Sequence, residues 1–219
     1  MKIGIIGSGH IGGALAKLFT TAGHSVEIAN SRGPDSLADL ARSTGAKGVT
    51  VDEAIAGKDL LVVTIPMKAV PTLAGKFAKL PGSVPVIDTC NYYPRERDGR
   101  IAPIEAGLTE SESVAQQIGH PTIKAFNNIS FKRLAADGRP KGDPQRIALA
   151  VSGDDPAQKR IVMDLIDAIG FDAIDNGPLS NSWRHQPGTP GYVSSVPRAE
   201  ALAQLAAASP SRLPQFTAA

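Results

Sequence analysis

Apolar residues recur along this chain in two alternating rhythms. Short, nearly unbroken apolar runs read as strands buried on both faces: "KIGIIG" from Lys2 to Gly7, "SVEIAN" from Ser25, "GVTV" from Gly48, "DLLVVTIP" from Asp59 and "VPVIDTC" from Val84. Between them the period lengthens to that of a helix. Ile11, Leu15, Leu18 and Phe19 form one apolar stripe, which Gly23 is placed to end. "PDSLADLARSTG" predicts a second helix, with Pro34 in its first turn and Gly45 at its end. "DEAIAG" predicts a short third one capped by Asp52. "AVPTLAGKFAKL" predicts another, provided Pro71 sits in its first turn. "NYYPRERDGRIAP" breaks the rhythm and predicts an exposed, charged loop. Helical "TESESVAQQIG", with acid in its first turn, precedes strand "TIKAFNN", helical "SFKRLAAD" and a Gly/Pro-rich loop. Strand "RIALAVSG", amphipathic "DPAQKRIVMDLIDAIG", strand "FDAIDNG" and the Ala-rich helix "RAEALAQLAAA" follow, and "SPSRLPQFTAA" reads as a loose tail. The alternation predicts an α/β fold: a Rossmann-type, doubly wound, mainly parallel sheet with a small C-terminal α/β extension. We divide it into a Rossmann half over 1–118, a smaller C-terminal half over 119–208 that completes the sheet, and a tail over 209–219.

Composition narrows the picture. With 42% apolar and 20% charged residues, the 219-residue chain has the balance of a globular domain with a sizeable core. A net charge of +2, from 23 basic against 21 acidic residues, gives no footprint for nucleic acid or a membrane surface. No run is apolar for long enough to span a bilayer, and the glycine-broken N-terminal run does not make a signal peptide. The single cysteine, Cys90, allows no internal disulfide and no four-cysteine zinc site, so we expect a cytoplasmic protein without a metal centre.

"GSGHIG" places Gly7, Gly9 and Gly12 in the G-x-G-x-x-G spacing, between a strand and a helix at the start of the chain. Gly7 permits the tight turn, Gly9 lets the backbone approach a pyrophosphate, and Gly12 lets the helix pack close to the sheet. The exposed backbone N–H groups and the helix dipole then hold the anion. About 20 residues on, an NAD-binding chain would carry an acid on the ribose. Here Asn30, Ser31 and Arg32 stand instead. Two neutral hydrogen-bonding groups and a fixed guanidinium favour a 2′-phosphate, hence NADP(H).

The second half of the chemistry is less marked. No tyrosine is followed four residues later by lysine, which excludes the short-chain dehydrogenase pair, and no Gly-x-Ser-x-Gly elbow occurs. The four histidines are scattered, His10 and His185 being the ones placed to act as an acid. A site without an acid–base pair suits hydride exchange between two ring cofactors, which needs stacking, alignment and exclusion of water.

With "IGIIGSGHIGGALA", "NSR", "VVTIP" at 62–66, "KAFNNI" at 124–129, "VSGDD" at 151–155 and "GPLSNS" at 177–182, the chain resembles the coenzyme F420-dependent NADP oxidoreductases, and with them the reductase domain of the STEAP metalloreductases. The resemblance runs from about Met1 to Trp183. It implies direct hydride transfer between NADPH and a deazaflavin or flavin, a small-molecule redox partner, in a homo-oligomer, commonly a dimer. By position it puts Gly9, His10 and Ile11 on the pyrophosphate, and Ser31 and Arg32 on the 2′-phosphate. Ile65, Pro66 and Met67 fall along the nicotinamide ribose. Ala125, Phe126 and Asn127 flank the nicotinamide and the second ring, with Asn128 beside them. The chain departs from the pattern at Asn127-Asn128, where the archaeal F420 enzymes carry a His-Thr pair, in the charged loop from Arg95 to Arg100, and in "WRHQPGTPGY" after "GPLSNS". These departures fall on the second substrate, so the NADP half is the better specified. Two other readings are open: an imine or carbonyl reductase resembling pyrroline-5-carboxylate reductase, and a non-catalytic NADP(H)-binding sensor. Lys132, Arg133, Arg139 and Lys141 offer an anionic ring cofactor a basic surface, and Trp183 a lid.

Overall fold

A computed structural model describes residues 1–218. Its strands are β1 (Lys2–Ile6), β2 (Ser25–Ala29), β3 (Lys47–Gly48), β4 (Leu60–Val63), β5 (Val86–Asp88), β6 (Ile123–Lys124), β7 (Ala148–Val151) and β8 (Asp172–Asp175). Its helices are α1 (His10–Thr21), α2 (Ala38–Thr44), α3 (Val51–Ile55), α4 (Ala102–Glu105), α5 (Glu110–Ile118), α6 (Phe131–Ala136), α7 (Pro156–Ala168) and α8 (Arg198–Ala207). The first six strands form one parallel sheet in the order β3-β2-β1-β4-β5-β6. The winding reverses between β1 and β4, and in such sheets ligands bind in the crevice beyond the carboxyl ends of the strands at that point. β7 and β8 make a separate parallel pair, joined to β6 by an antiparallel bridge between Lys124 and Ser152. The fold is α/β. Among the described residues no helix is long and apolar enough to cross a membrane.

Both faces of the main sheet are covered, which is why its strands read as unbroken apolar runs. Ile3, Ile5, Ile28 and Val62 pack on one side with Leu15 and Phe19 of α1 and with Val162 and Ile166 of α7. Their neighbours Ile6, Leu61 and Val63 face the other way, against Met67, Val70, Phe77 and Tyr92. α8 lays Ala201 and Leu205 on the outer side of the β7–β8 pair.

Five local expectations need correction. Strand β3 occupies Lys47–Gly48 rather than "GVTV", because Thr50 starts a helix. Thr50 accepts from the Glu53 N–H at 3.3 Å while the Glu53 carboxylate accepts from the Thr50 N–H at 2.8 Å, a capping box. Asp52 is therefore not the cap; it pairs with Lys76 at 2.7 Å. "AVPTLAGKFAKL" forms no α-helix but a 3₁₀ stretch over Met67–Leu73 with Pro71 inside it, where proline can neither donate nor fit an α-helical turn. The charged segment after β5 is exposed at Arg95, Glu96, Arg97 and Arg100, as expected, but it is not a simple loop. Pro94–Asp98 is one π-helical turn, Tyr92 is fully buried, and the buried Asp98 carboxylate accepts from the N–H groups of Lys68 and Tyr93. Finally, the tail is not loose over 209–218. Arg212 reaches Glu110 at 3.3 Å and Gln186 at 3.2 Å, the Phe216 ring lies 6.2 Å from that of Tyr93, and the Ala218 N–H donates to Glu105. These partners lie up to 113 residues away in the chain, beyond any local pattern. Ala219, the last residue of that segment, lies outside the described residues.

Candidate functional site

The loop from β1 to α1 is shaped by close approach. Gly7 takes φ +120°, and a Cβ there would lie 2.1 Å from the Thr64 carbonyl oxygen. A Cβ on Gly12 would lie 2.0 Å from the Gly7 carbonyl oxygen. Gly9 is different: a Cβ would meet nothing within 4 Å. As the N-cap of α1 it has no side chain to satisfy the first turn, which also carries no acid. The N-terminal N–H groups and the positive end of the helix dipole thus face open space.

At the tip of β2, Asn30 is engaged within the protein. Its amide donates to Ser8 Oγ and Ser36 Oγ, both at 3.0 Å, and its Oδ1 accepts from the Arg32 N–H at 2.9 Å. It ties the strand tip to the glycine loop and presents its neighbours. Ser31 and Arg32 are exposed beside it, and among the described residues no carboxylate pairs with Arg32.

A cleft of about 470 Å³ opens at the switch point. Its floor and walls are Gly9, His10 and Ile11 from the loop, Thr64, Ile65 and Pro66 after β4, Thr89, Cys90 and Asn91 after β5, and Tyr93, Arg97 and Phe131. The sequence-predicted residues of the first two groups thus come together. Thr64, Asn91, Tyr93, Arg97 and Phe131 were missed, since they come from loops whose meeting depends on strand order. The His10 and Phe131 rings stack at 4.2 Å, 14° from parallel, at the mouth. Cys90 is buried, and burial pushes its thiol well above the ordinary range, with the Asp88 charge acting the same way.

The remaining candidates lie elsewhere. Met67, Ala125 and Phe126 are completely buried, Met67 in the core between the sheet and α5 and Phe126 edge-on to Phe19 at 6.2 Å. The side chains of Asn127 and Asn128 are also buried. Neither side chain is among those that line the cleft. Asn127 instead anchors a polar network: its amide donates to Asn91 Oδ1 at 3.1 Å and to the His185 carbonyl at 2.7 Å, and its Oδ1 lies 2.8 Å from His185 Nδ1. His185 Nε2 lies 3.0 Å from Ser152 Oγ, which Asn176 also contacts. Trp183 lines a different groove, near Glu105 and Arg212, and stacks under Arg184. Arg133, Arg139 and Lys141 are engaged with Asp137, Asp143 and Asp167.

Burial, helped by the Lys124 charge, pulls the His185 pKa down to about 3, so the network contains neutral imidazole. Unfolded histidine titrates near 6.5, so between about pH 3 and 6.5 the unfolded chain binds the extra proton. Stability should therefore be complete above pH 6.5 and fall below it, by up to roughly 1.4 kcal/mol per pH unit from this group. Urea titrations of wild type and His185→Gln between pH 7 and 5 check this: the variant's slope should be flatter, and parallel slopes would remove His185 from the account.

Beneath the cleft, Asp88 and Lys124 are register partners on β5 and β6, both completely buried and 3.1 Å apart. Lys124 also donates to the Cys90 carbonyl, and Asp88 accepts from the Cys90 N–H and Ser111 Oγ, at 2.8 Å each. The pair thereby holds the segment 89–91 that walls the cleft.

Residues 2–92 match the family described as NADP oxidoreductase, coenzyme F420-dependent. The chain is 29% identical over 182 residues to the metalloreductase STEAP3 of Rattus norvegicus, a match covering 83% of this chain and 35% of that protein. It spans between 35% and 39% of the curated relatives it matches here. Among solved structures it superposes on the hypothetical protein SMa0349 of Sinorhizobium meliloti with a TM-score of 0.77 at 29% identity, over 90% of this chain and 96% of the other. It also superposes on an Arthrobacter sp. FB24 protein described as an F420-dependent NADP-reductase, with a TM-score of 0.65 at 22% identity, over 83% and 87% of the two chains; this likeness shows the shared fold. Over residues 2–92, less than half of its length, the chain is thus similar to the coenzyme F420-dependent NADP oxidoreductases.

Proposed function

We propose that this protein is an NADP(H)-dependent oxidoreductase that transfers a hydride directly between NADPH and a deazaflavin, coenzyme F420, or a flavin-like acceptor. The observation that carries the reading is the pairing of two anion-seeking features at one end of the sheet. These are the open helix terminus at Gly9 and the exposed Arg32 at the tip of β2, which pairs with no carboxylate among the described residues. The residues present fit the group: a pyrophosphate has room and donors at Gly9, His10 and Ile11, and a 2′-phosphate has Ser31 and Arg32. Gly7, Gly12 and Asn30 shape this cradle. Ile65 and Pro66 are placed to line the ribose and nicotinamide end, with Met67 and Ala125 supporting from below. When bound, NADPH supplies the hydride; the chain orients it and excludes water. In this reading residues 1–118 bind NADP, 119–208 complete the second-substrate cleft, and the protein is a cytoplasmic homodimer.

Arg32→Ala should weaken NADPH binding about tenfold in calorimetry, or about 1.4 kcal/mol, and NADH binding less than twofold. Equal losses, or no binding of either nucleotide, would defeat the NADP assignment. Mixing the protein with NADPH and either oxidised coenzyme F420 or FMN tests the acceptor: rapid bleaching of the ring is expected. NADPH binding without bleaching would leave a binding module, and turnover of a cyclic imine instead would move the protein to the imine reductases.

A further inference from the structure

Resting on the hydride-transfer reading above, we infer that the Tyr93 hydroxyl is the proton donor to the acceptor ring, with Tyr192 and Arg97 arranged to receive the charge it leaves. A hydride brings two electrons and one proton, but a reduced flavin or deazaflavin also carries a new proton on a ring nitrogen. The sequence offers no Tyr-Lys pair for this task. The cleft wall does offer a phenol.

Tyr93 lies in that wall next to Arg97 and Asn91. Its backbone is fixed, the N–H donating to Asp98 at 2.9 Å, and its ring is held between Arg97, whose guanidinium carbon is 5.0 Å from the ring centroid, and Phe216. Its hydroxyl is hydrogen-bonded to that of Tyr192, 99 residues later in the chain. The loop that delivers Tyr192 is strained. Val193 has φ +54° and Ser195 φ +51°, conformations that cost a non-glycine residue on the order of 1–3 kcal/mol each. A bond from the Val193 N–H to the Asn128 carbonyl, 2.9 Å, pins it there. Strain maintained on a β-branched neighbour to bring two phenols together marks the pair as functional.

Burial, with the Tyr93 bond added, pushes the Tyr192 hydroxyl far above the ordinary range, so Tyr192 keeps its proton and acts as a donor. The step is then as follows. The Tyr93 O–H bond breaks as an N–H bond forms on the acceptor ring, while the hydride supplies both electrons and the dihydronicotinamide is oxidised. Tyr192 donates a hydrogen bond to the transient phenolate, and the Arg97 cation lies against the same ring. Water at the cleft mouth restores the Tyr93 proton.

Tyr93→Phe and Tyr192→Phe both delete the phenol–phenol bond, but only the first deletes the donor. With NADPH and coenzyme F420 or FMN, Tyr93→Phe should lose about 100-fold in kcat, Tyr192→Phe about tenfold or less, and NADPH affinity should change less than threefold in either. The second readout needs no turnover: the absorbance shift of the oxidised ring on binding should persist in Tyr192→Phe and vanish in Tyr93→Phe, as it loses its donor. Equal losses in the two variants, or a Tyr93→Phe enzyme within threefold of wild type, would overturn the assignment and leave the hydride-transfer reading standing. A wild type that binds NADPH yet reduces neither ring would overturn both.

Discussion

Lys124→Met should cost the fold about 3–5 kcal/mol, the loss expected when one partner of a buried ion pair is removed and the other stays. Lys124 and Asp88 are both completely buried, and Glu110, also buried, lies in the same charge cluster. Burial pulls the Lys124 ammonium down, but Asp88 and Glu110 together more than offset it, and it stands above the ordinary lysine range. Burial conversely raises Glu110, against the pull of Lys124 and Arg212. Removing the ammonium leaves two carboxylates in the interior with one partly exposed arginine. Thermal unfolding should report a fall on the order of 10 °C, from roughly 2–4 °C per kcal/mol in a domain of this size. The sign of the pH dependence is a second check. Without the pull of Lys124 the buried Glu110, already raised, binds its proton more tightly folded than unfolded, so the deficit relative to wild type should narrow as pH falls from 8 to 5. Adding Asp88→Asn should recover at least about 1 kcal/mol, because it removes a charge left without its partner. A single-variant loss below about 1 kcal/mol would show that the pair does not hold the 89–91 wall.

That pair illustrates what could be read from the chain and what could not. "VPVIDTC" and "TIKAFNN" announce two strands, because a strand buried on both faces needs an apolar run. Their charged residues carry no such signal: Asp88 and Lys124 meet only through the register of β5 on β6, 36 residues apart. The glycine loop was legible at Gly7 and Gly12, where an added Cβ would run into backbone. Asp155 was legible as a helix cap and accepts from the N–H groups of Ala157 and Gln158. The "TVDE" capping box was equally local and was passed over for Asp52, two positions too late. "KAFNNI" was read as flanking the rings; its side chains are buried, and Asn127 binds His185 from 58 residues away and Asn91 of the cleft wall. From this part of the chain it is Phe131, five residues after Phe126, that reaches the cleft, because Ser130 caps α6 and turns the chain back toward α1. Charge misled in "YPRERD": Asp98 is buried by accepting backbone N–H groups, which a count of charged residues does not show.

Gly9→Ala should weaken binding of NADPH about a hundredfold, roughly 2.8 kcal/mol, while melting close to wild type, and Gly12→Ala should do the reverse in order of cause. Gly9 has φ −73° and ψ −169°, a conformation open to any residue, and its added methyl meets no protein atom within 4 Å. The space is free in the protein alone, so only a ligand approaching the helix terminus would feel the methyl group. At Gly12 the same methyl would sit 2.0 Å from the Gly7 carbonyl oxygen and 3.0 Å from Thr64 Cγ2. The first contact is backbone and cannot rotate away, so α1 must lift off β1, at about 1–3 kcal/mol or more. Gly12→Ala should therefore lower the melting temperature first and lose the nucleotide as a consequence. Calorimetry alongside thermal unfolding separates the two. Undiminished NADPH binding by Gly9→Ala would mean that the pyrophosphate does not lie on this helix, and both Arg32 and Tyr93 would then lose the roles argued for them.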